Sequence, residues 1–227
     1  MFSTHDFLAR ARKSLRESWP ESAFDPDMRP SNGDHQFNAP LTQEEASQFA
    51  PARPAAVLAP VVLRGDRAHL LLTQRAKTLR DHSGQIAFPG GKIEPGESPL
   101  TAALREAEEE IGLFREKLEI LGCLDPYQTS TGFRVFPVVA LLHPPFDLTP
   151  DPREVEDVFE APLDFLMNPA NHQRLKKFWQ GRERQFYAMP WQDHCIWGAT
   201  AGMIRNLYER LYGERAGAPA QTPASPP

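Results

Sequence analysis

The stretch from Gly90 to Leu113, GGKIEPGESPLTAALREAEEEIGL, decides how the rest of the chain is interpreted. It places six glutamates within the seventeen residues from 94 to 110, and three of them, Glu108, Glu109 and Glu110, are consecutive. Like charges spaced i,i+4 on a helix repel each other by roughly a few tenths of a kcal/mol per pair. Such a concentration of negative charge therefore needs a cause.

The same stretch carries the signals of a helix with two defined ends. Ser98 is a favourable N-cap residue, Pro99 suits the first helical position, and Gly112 suits the position that follows the last turn. We therefore predict a helix over residues 98–111.

The helical phase separates the glutamates into two groups. At about 100° per residue, Glu106, Glu109 and Glu110 share one face that is about 100° wide. Glu108 points to solvent, and Arg105 lies i,i+4 from Glu109, where the two side chains can pair. The positions predicted to face the core are apolar: Leu100, Ala103, Leu104, Ala107 and Ile111.

A solvated acidic face explains Glu108, but it does not explain three carboxylates that converge beside the core positions. Hard divalent cations prefer oxygen ligands, and Mg²⁺ usually binds a few carboxylates while keeping water and phosphate in its other positions. The sequence therefore predicts a site for Mg²⁺ or Mn²⁺. In this interpretation, the glutamates repel one another when no cation is bound to the site.

Gly91, Glu97 and the segment from Arg105 to Leu113 have the spacing GX5EX7REUXEEXGU. On these residues the chain resembles the Nudix hydrolases, with one mild departure at Ala107, where the family has a larger aliphatic residue. The resemblance implies an α/β fold, the Nudix-type α/β/α sandwich with a mixed sheet flanked by helices. It also implies metal-dependent attack on a diphosphate linkage.

A second stretch, LLTQRAKTLRDHSGQIAFPGG at 71–91, resembles the signature LLTXRX4RX3GX3FPGG of the coenzyme A pyrophosphatase branch of that family. The segment IWGATAGMIRNL at 196–207 is also similar to that branch. The resemblance covers about residues 55–212. It implies hydrolysis of coenzyme A or its derivatives to 3′,5′-ADP and 4′-phosphopantetheine or its acyl form.

The resemblance also assigns metal ligands. Glu106 and Glu110 are the first two, Glu109 is a third, and the Gly90 carbonyl is a further candidate. Glu106 and Glu109 are counted among the catalytic residues as well.

Three more residues complete the predicted catalytic set. Glu97 supports the site from its loop, and Arg105 orients a glutamate. Nudix enzymes often add a carboxylate from a later loop as ligand or base, and the segment DPREVEDVFE supplies Glu154, with Glu156 in reserve.

The predicted substrate-binding residues are Arg75, Arg80, Phe88 and Gly91. Arginine suits phosphate because its guanidinium group binds phosphate oxygens bidentately. The alternative is that both arginines are surface residues at the end of a strand. For Phe88, packing is favoured over stacking on adenine.

Two other functions stay open. The same site could cleave ADP-ribose, NADH, dinucleoside polyphosphates or oxidised nucleoside triphosphates. The other class is a non-catalytic nucleotide sensor with a Nudix domain. Such domains usually lose carboxylates of the GX5EX7REUXEEXGU motif and carry a DNA-binding extension. This chain has every carboxylate of the motif and no basic helix-turn-helix segment.

Composition limits the partners of the chain. The net charge of −5 over 227 residues gives no basic footprint for nucleic acid. No apolar stretch approaches the roughly 18 residues of a membrane span. The two cysteines, Cys123 and Cys195, form neither a zinc motif nor a disulfide framework, which suits the reducing cytoplasm. We expect a small-molecule diphosphate partner, and monomer and homodimer both stay open.

The chain divides into three predicted parts: an N-terminal helix and proline-rich arm (1–54), one α/β domain (55–212) and a disordered tail (213–227). In the domain, AAVLAPVVLR and AHLLLTQRA flank the turn GDR and predict a hairpin. A second helix is predicted over 199–211. Further strands are predicted in GQIAFP, LEILGCL, FRVFPVVALLH, VEDVFEA and RQFYAMPW. Many strands and two good helices indicate a mixed sheet with a helix on each face.

Overall fold

The structure is a computed structural model. It describes residues 2–38, 52–79, 83–179 and 181–213. Three predictions lie wholly or partly outside the described residues, namely the phosphate contact of Arg80, the proline-rich arm at residues 39–51, and nearly all of the tail at 213–227.

In the described part of the chain, the main sheet has nine strands and is mixed. Its central path runs β1-β7-β8-β2-β3-β4, while β5 pairs with β2, β6 with β8 and β9 with β3. The β2–β8 and β1–β7 pairs are parallel, and the other pairs are antiparallel. The strands are β1 (Asn32–Gly33), β2 (Arg53–Arg64), β3 (Arg67–Arg75), β4 (Ile86–Ala87), β5 (Gly90–Lys92), β6 (Leu118–Cys123), β7 (Tyr127–Gln128), β8 (Phe133–Leu142) and β9 (Val155–Pro162).

Helices cover both faces of this sheet. They are α1 (Thr4–Ser14), α2 (Pro99–Ile111), α3 (Leu163–Leu166) and α4 (Ala199–Tyr212). Helix α2 packs into one core with Ala56 and Leu58 of β2, whereas α1 and α4 pack into the other core with Ala55 and Ala59. Strand β2 is thus buried on both faces, which explains its nearly continuous apolar sequence. The predicted α/β architecture, the hairpin of β2 and β3, and both predicted helices are confirmed.

A second, antiparallel sheet contains β10 (Gln173–Trp179), β11 (Arg182–Trp191) and β12 (His194–Trp197). The sequence predicted only the β11 strand. Strand β10 was missed because its segment QRLKKFW is rich in charge and is exposed from Gln173 to Phe178, so it lacks the apolar run that marks a buried strand. The Thr200 hydroxyl at the start of α4, which follows β12, donates to the Ile86 carbonyl of β4 over 3.0 Å. This hydrogen bond links the start of α4 to the main sheet.

Part of the described segment before β2 packs against the domain. Phe7 and Ala11 of α1 are fully buried in the core shared with α4. The buried guanidinium group of Arg134 donates to the carbonyls of Asp25 and Met28, both at 2.6 Å, and so holds the chain that follows α1. Within the described residues, no helix has the length and apolar character needed to cross a membrane.

Candidate functional site

Helix α2 begins and ends where its sequence signals predict. The Ser98 hydroxyl accepts a hydrogen bond from the Thr101 amide at 3.1 Å, and Gly112 adopts a left-handed conformation with φ of 67°. The core-facing positions are buried as predicted, except that Leu100 is half-buried, and Glu108 is exposed. Of the other three glutamates, Glu110 is buried and Glu106 is half-buried, as their predicted positions beside the core require. Glu109 is exposed like Glu108, and it differs from Glu108 in contacting Arg105.

Arg105 contacts three carboxylates at once. Its Nε and Nη2 atoms donate to the two oxygens of Glu97 at 3.0 and 3.1 Å. Its Nη1 donates to Glu106 Oε1 and Glu109 Oε2, both at 3.0 Å. Hydrogen bonding from Arg105 lowers the pKa of Glu97, and the same bond, together with those to Glu106, raises the pKa of Arg105.

This network corrects one expectation. The sequence predicted a single pair between Arg105 and Glu109 and an otherwise uncompensated cluster of glutamates. Instead, one NH₂ group bridges Glu106 and Glu109, while the remaining donors hold Glu97 and the Lys92 carbonyl (3.1 Å). The carboxylates are therefore held by a guanidinium group, because the loop returns Glu97 and Lys92 to the side of the helix.

Glu110 has a different environment from the other two glutamates. Its side chain is buried, with 4% of the residue exposed, and its Oε2 accepts the Gly90 amide at 3.1 Å. The Arg75 Nη1 lies 3.8 Å from its Oε1. Desolvation raises the pKa of Glu110 to about 7, although the Gly90 amide and the Arg75 charge act in the opposite direction. Desolvation also raises the pKa of Glu106.

Glycine is required at positions 90 and 91 because other atoms lie where a side chain would begin. A Cβ atom on Gly90 would overlap the Ala56 carbonyl and the Val57 backbone of β2, and a Cβ atom on Gly91 would overlap the Glu106 carboxylate. The Gly90 amide contacts Glu110, whereas the predicted role of its carbonyl as a metal ligand stays a prediction.

These contacts predict different outcomes for two neighbouring substitutions. Gly90→Ala meets backbone atoms that cannot move, so we expect a loss of about 3 kcal/mol or more in the free energy of unfolding, measured by urea denaturation. Gly91→Ala meets a flexible side chain, so its stability should change by less than about 1 kcal/mol while its hydrolytic activity falls because Glu106 is displaced. Equal stability losses for the two variants would contradict this assignment.

Of the two later carboxylates, Glu154 lies beside the end of β3 that carries Arg75. Its carbonyl accepts the Ala76 amide at 2.8 Å, beside Arg75, and its negative charge contributes to the raised pKa values of Glu106 and Glu110. Glu156 instead pairs with Lys77 at 2.6 Å on an exposed part of β9.

The predicted substrate-binding residues have different surroundings. The Arg75 side chain is 27% exposed, and its buried Nε has no hydrogen-bond partner among the described residues. Phe88 is 4% exposed and packs in the core that contains α4, so we withdraw it as a substrate contact in favour of packing.

The site has the chemistry of a divalent-cation site, but its side chains are not arranged around a cation. Within the described ranges, no three His, Cys, Asp or Glu side chains are grouped closely enough to hold a metal ion. The reason is that Glu106 and Glu109 hold Arg105, and Glu110 holds the Gly90 amide. The donors are all carboxylate oxygens, and one of them is buried with a raised pKa, so the residues fit a hard cation.

Comparison with known proteins places the chain in a family. A model of the NUDIX domain matches residues 52–187. A Photorhabdus laumondii protein named "Uncharacterized Nudix hydrolase NudL" is 41% identical over 160 residues, which are 70% of this chain and 85% of that protein. A Cronobacter sakazakii protein of the same name is 39% identical over 183 residues, which are 75% of this chain and 95% of that protein.

Among solved structures, a Caenorhabditis elegans Ap4A hydrolase complex is similar with a TM-score of 0.43 and 26% identity, over 48% of this chain and 80% of that chain. The assignment relies on the sequence matches, since the family model spans more than half of the chain and includes the whole glutamate helix. The chain belongs to the Nudix hydrolase family.

Proposed function

We propose that this Nudix hydrolase cleaves the diphosphate linkage of coenzyme A or its acyl derivatives, releasing 3′,5′-ADP and 4′-phosphopantetheine or its acyl form. The observation that carries the proposal is the position of Arg75. It belongs to the stretch at 71–91 that resembles the coenzyme A branch, and its guanidinium group lies beside Glu110. Its side chain is 27% exposed, so a phosphate oxygen can approach the guanidinium group.

Glu106, Glu109 and Glu110 would hold Mg²⁺ or Mn²⁺, with the Gly90 carbonyl as a further ligand. When bound, such an ion neutralises diphosphate charge and lowers the pKa of a coordinated water. Glu97 acts through Arg105, because this pair sets the positions of Glu106 and Glu109.

The reaction also needs a group that takes a proton from the attacking water. We assign this role to Glu154, which follows the Asp151 turn, lies next to the Arg75 strand, and is close enough to raise the pKa of two site carboxylates. Gly91 leaves space beside Glu106. Both cysteines are free, which agrees with a protein of the reducing cytoplasm.

The test is a product analysis with Mg²⁺ over coenzyme A, acetyl-coenzyme A, ADP-ribose, NADH and a dinucleoside tetraphosphate. We expect the highest kcat/KM for coenzyme A or its thioester. A higher value for any of the other diphosphates would overturn the substrate assignment while leaving the reaction class intact. Tight nucleotide binding without hydrolysis of any compound would favour the sensor function instead.

The Glu154 assignment predicts a pair of unequal effects. Glu154→Gln should lower kcat by about a hundredfold or more, because general bases typically contribute that much to proton transfer. Glu156→Gln is the matched control on the same segment and should change kcat by less than about twofold, since the Glu156 carboxylate is already paired with the exposed Lys77. Comparable losses for the two variants would show that neither acts as the base.

Replacement of Arg75 should change kcat/KM differently for two substrates. If it binds the 3′-phosphate, Arg75→Ala should lower kcat/KM for coenzyme A by about ten- to a hundredfold, as expected for a charge-assisted contact. The same variant should barely change kcat/KM for 3′-dephospho-coenzyme A, which lacks that phosphate.

Arg64→Ala is the control, because Arg64 pairs with Glu160 at 2.6 Å near the other end of the hairpin. It should affect neither substrate. Equal losses of Arg75→Ala on the two substrates would mean that Arg75 binds the diphosphate or supports Glu110, and its link to coenzyme A selectivity would fall.

A further inference from the structure

One face of the second sheet packs on the domain and the other does not. Met189 of β11 and Ile196 of β12 are register partners, and both are fully buried in the core that contains α4. Successive side chains of a strand point to opposite faces, so the alternate positions of these strands lie on the other side of the sheet. We call this side the outer face; it contains Leu175, Lys177, Arg184, Phe186 and Trp197.

An apolar stripe crosses the three strands on the outer face. Leu175 lies directly opposite Phe186 in the register, and the centroids of the Phe186 and Trp197 rings are 5.3 Å apart. Leu175 and Trp197 are exposed and belong to neither core of the domain. Phe178, beside the turn between β10 and β11, is 73% exposed, the highest value among large apolar side chains of the described residues. This surface therefore contributes nothing to the packing of the domain.

The cations of β10 have different partners on the two faces of the sheet. Lys176, on the packed face, forms an ion pair with Glu183 at 2.8 Å. Lys177, on the outer face, lies directly opposite Arg184 in the register. Like charges at directly opposite positions destabilise a sheet. The pair of cations therefore does not serve the fold, and it favours an anionic partner.

Positive charge is concentrated in the hairpin of β10 and β11. Residues 174–184 contain five Lys or Arg and one acidic residue, although the whole chain has 25 basic and 30 acidic residues and a net charge of −5. Exposed charges act over about 8 Å at physiological salt, so an anionic surface that meets this hairpin is attracted by the local charge and not by the net charge. The distribution favours approach through this one segment.

From these observations we propose that the outer face, together with Phe178, docks on the surface of an anionic phospholipid membrane. Lys177 and Arg184 contact the headgroup phosphates, and the apolar stripe enters the boundary with the acyl chains. Interfacial binding scales with the apolar area inserted and with the attraction to anionic lipids, and it requires no membrane-spanning helix. Trp is also a residue that is enriched at this boundary. The proposal does not depend on which diphosphate the enzyme cleaves.

Two other occupants fit the outer face less well. A second copy of the chain seated on this face would bring two pairs of Lys177 and Arg184 together, and like charges that meet across an interface act against association. Nucleic acid requires a cationic footprint of the domain as a whole, whereas the rest of this chain is acidic. A membrane surface needs contact with the hairpin alone.

The test is co-sedimentation of the full chain, at low salt, with two kinds of vesicle: phosphatidylcholine alone, and an equimolar mixture with phosphatidylglycerol. We expect binding to the mixed vesicles to be tighter by about tenfold or more. The double variant Lys177→Gln and Arg184→Gln should lower the partition coefficient by about twentyfold, since each cation near an anionic surface contributes about fivefold. Phe178→Ala should lower it by about tenfold, because an inserted ring is lost.

The segment after α2 offers matched controls. Phe114 is 54% exposed and is followed by the exposed Arg115 and Lys117, so this segment also combines one aromatic ring with two cations. The double variant Arg115→Gln and Lys117→Gln, and separately Phe114→Ala, should each change the partition coefficient by less than about twofold. The hairpin double variant should keep or raise the Tm, since it relieves a like-charge pair.

Equal binding of wild type to the two kinds of vesicle overturns the proposal, as does an equal loss in the hairpin and control variants. Binding of a single-stranded oligonucleotide that the hairpin double variant loses, without binding to vesicles, would assign the outer face to nucleic acid. A homodimer in solution that Leu175→Ser converts to a monomer would assign it to self-association. Either result replaces the membrane assignment.

Discussion

Glu106→Gln and Glu110→Gln should each lower kcat/KM by about a thousandfold, the loss that corresponds to several kcal/mol of charge stabilisation in the transition state. Each substitution removes a charged ligand from the proposed cation site while keeping the shape of the side chain. The measurement is the steady-state rate of diphosphate cleavage at saturating Mg²⁺.

The matched control for these substitutions is Glu108→Gln. Glu108 lies on the same helix between the site glutamates but is exposed, so its replacement should change kcat/KM by less than about twofold. In EDTA, Glu110→Gln should unfold at the same temperature as wild type or higher, because it relieves the desolvation of a buried carboxylate. A loss of kcat/KM in Glu108→Gln as large as that in Glu106→Gln would mean that the site lies on another face of α2.

Removal of divalent cations should abolish hydrolysis completely, and Mg²⁺ or Mn²⁺ should restore it. The protein should stay folded in EDTA, because Arg105 holds Glu97, Glu106 and Glu109 in the absence of a metal ion. Added Mn²⁺ should raise the Tm of wild type through mass action, and this rise should shrink in Glu106→Gln.

Activity that persists in excess chelator would eliminate the metal-dependent reaction. A Tm that Mn²⁺ raises equally in wild type and Glu106→Gln would place the ion somewhere other than beside these carboxylates. The two readouts are separate, since one follows turnover and the other follows binding to the folded protein.

The helix and its chemistry could be read from the linear sequence because they are local properties. Ser98, Pro99 and Gly112 act within one turn of the helix ends, and the 3.6-residue period alone places Glu106 and Glu110 beside the core and Glu108 in solvent. Strands with long apolar runs, such as β2 and β8, were predicted for the same reason. Their burial on both faces leaves a direct record in their composition.

Contacts between distant segments could not be derived this way. Arg105 bridges Glu106 and Glu109 as well as Glu97, and Glu110 is buried against Gly90, because β5 is held on β2 and returns the loop to the helix. Charge-rich β10 becomes a strand through its pairing with β11. Sequence pattern records which face of an element is buried. The neighbour against which that face is buried depends on how the strands pair and where each loop returns, and at this site those contacts set the charges.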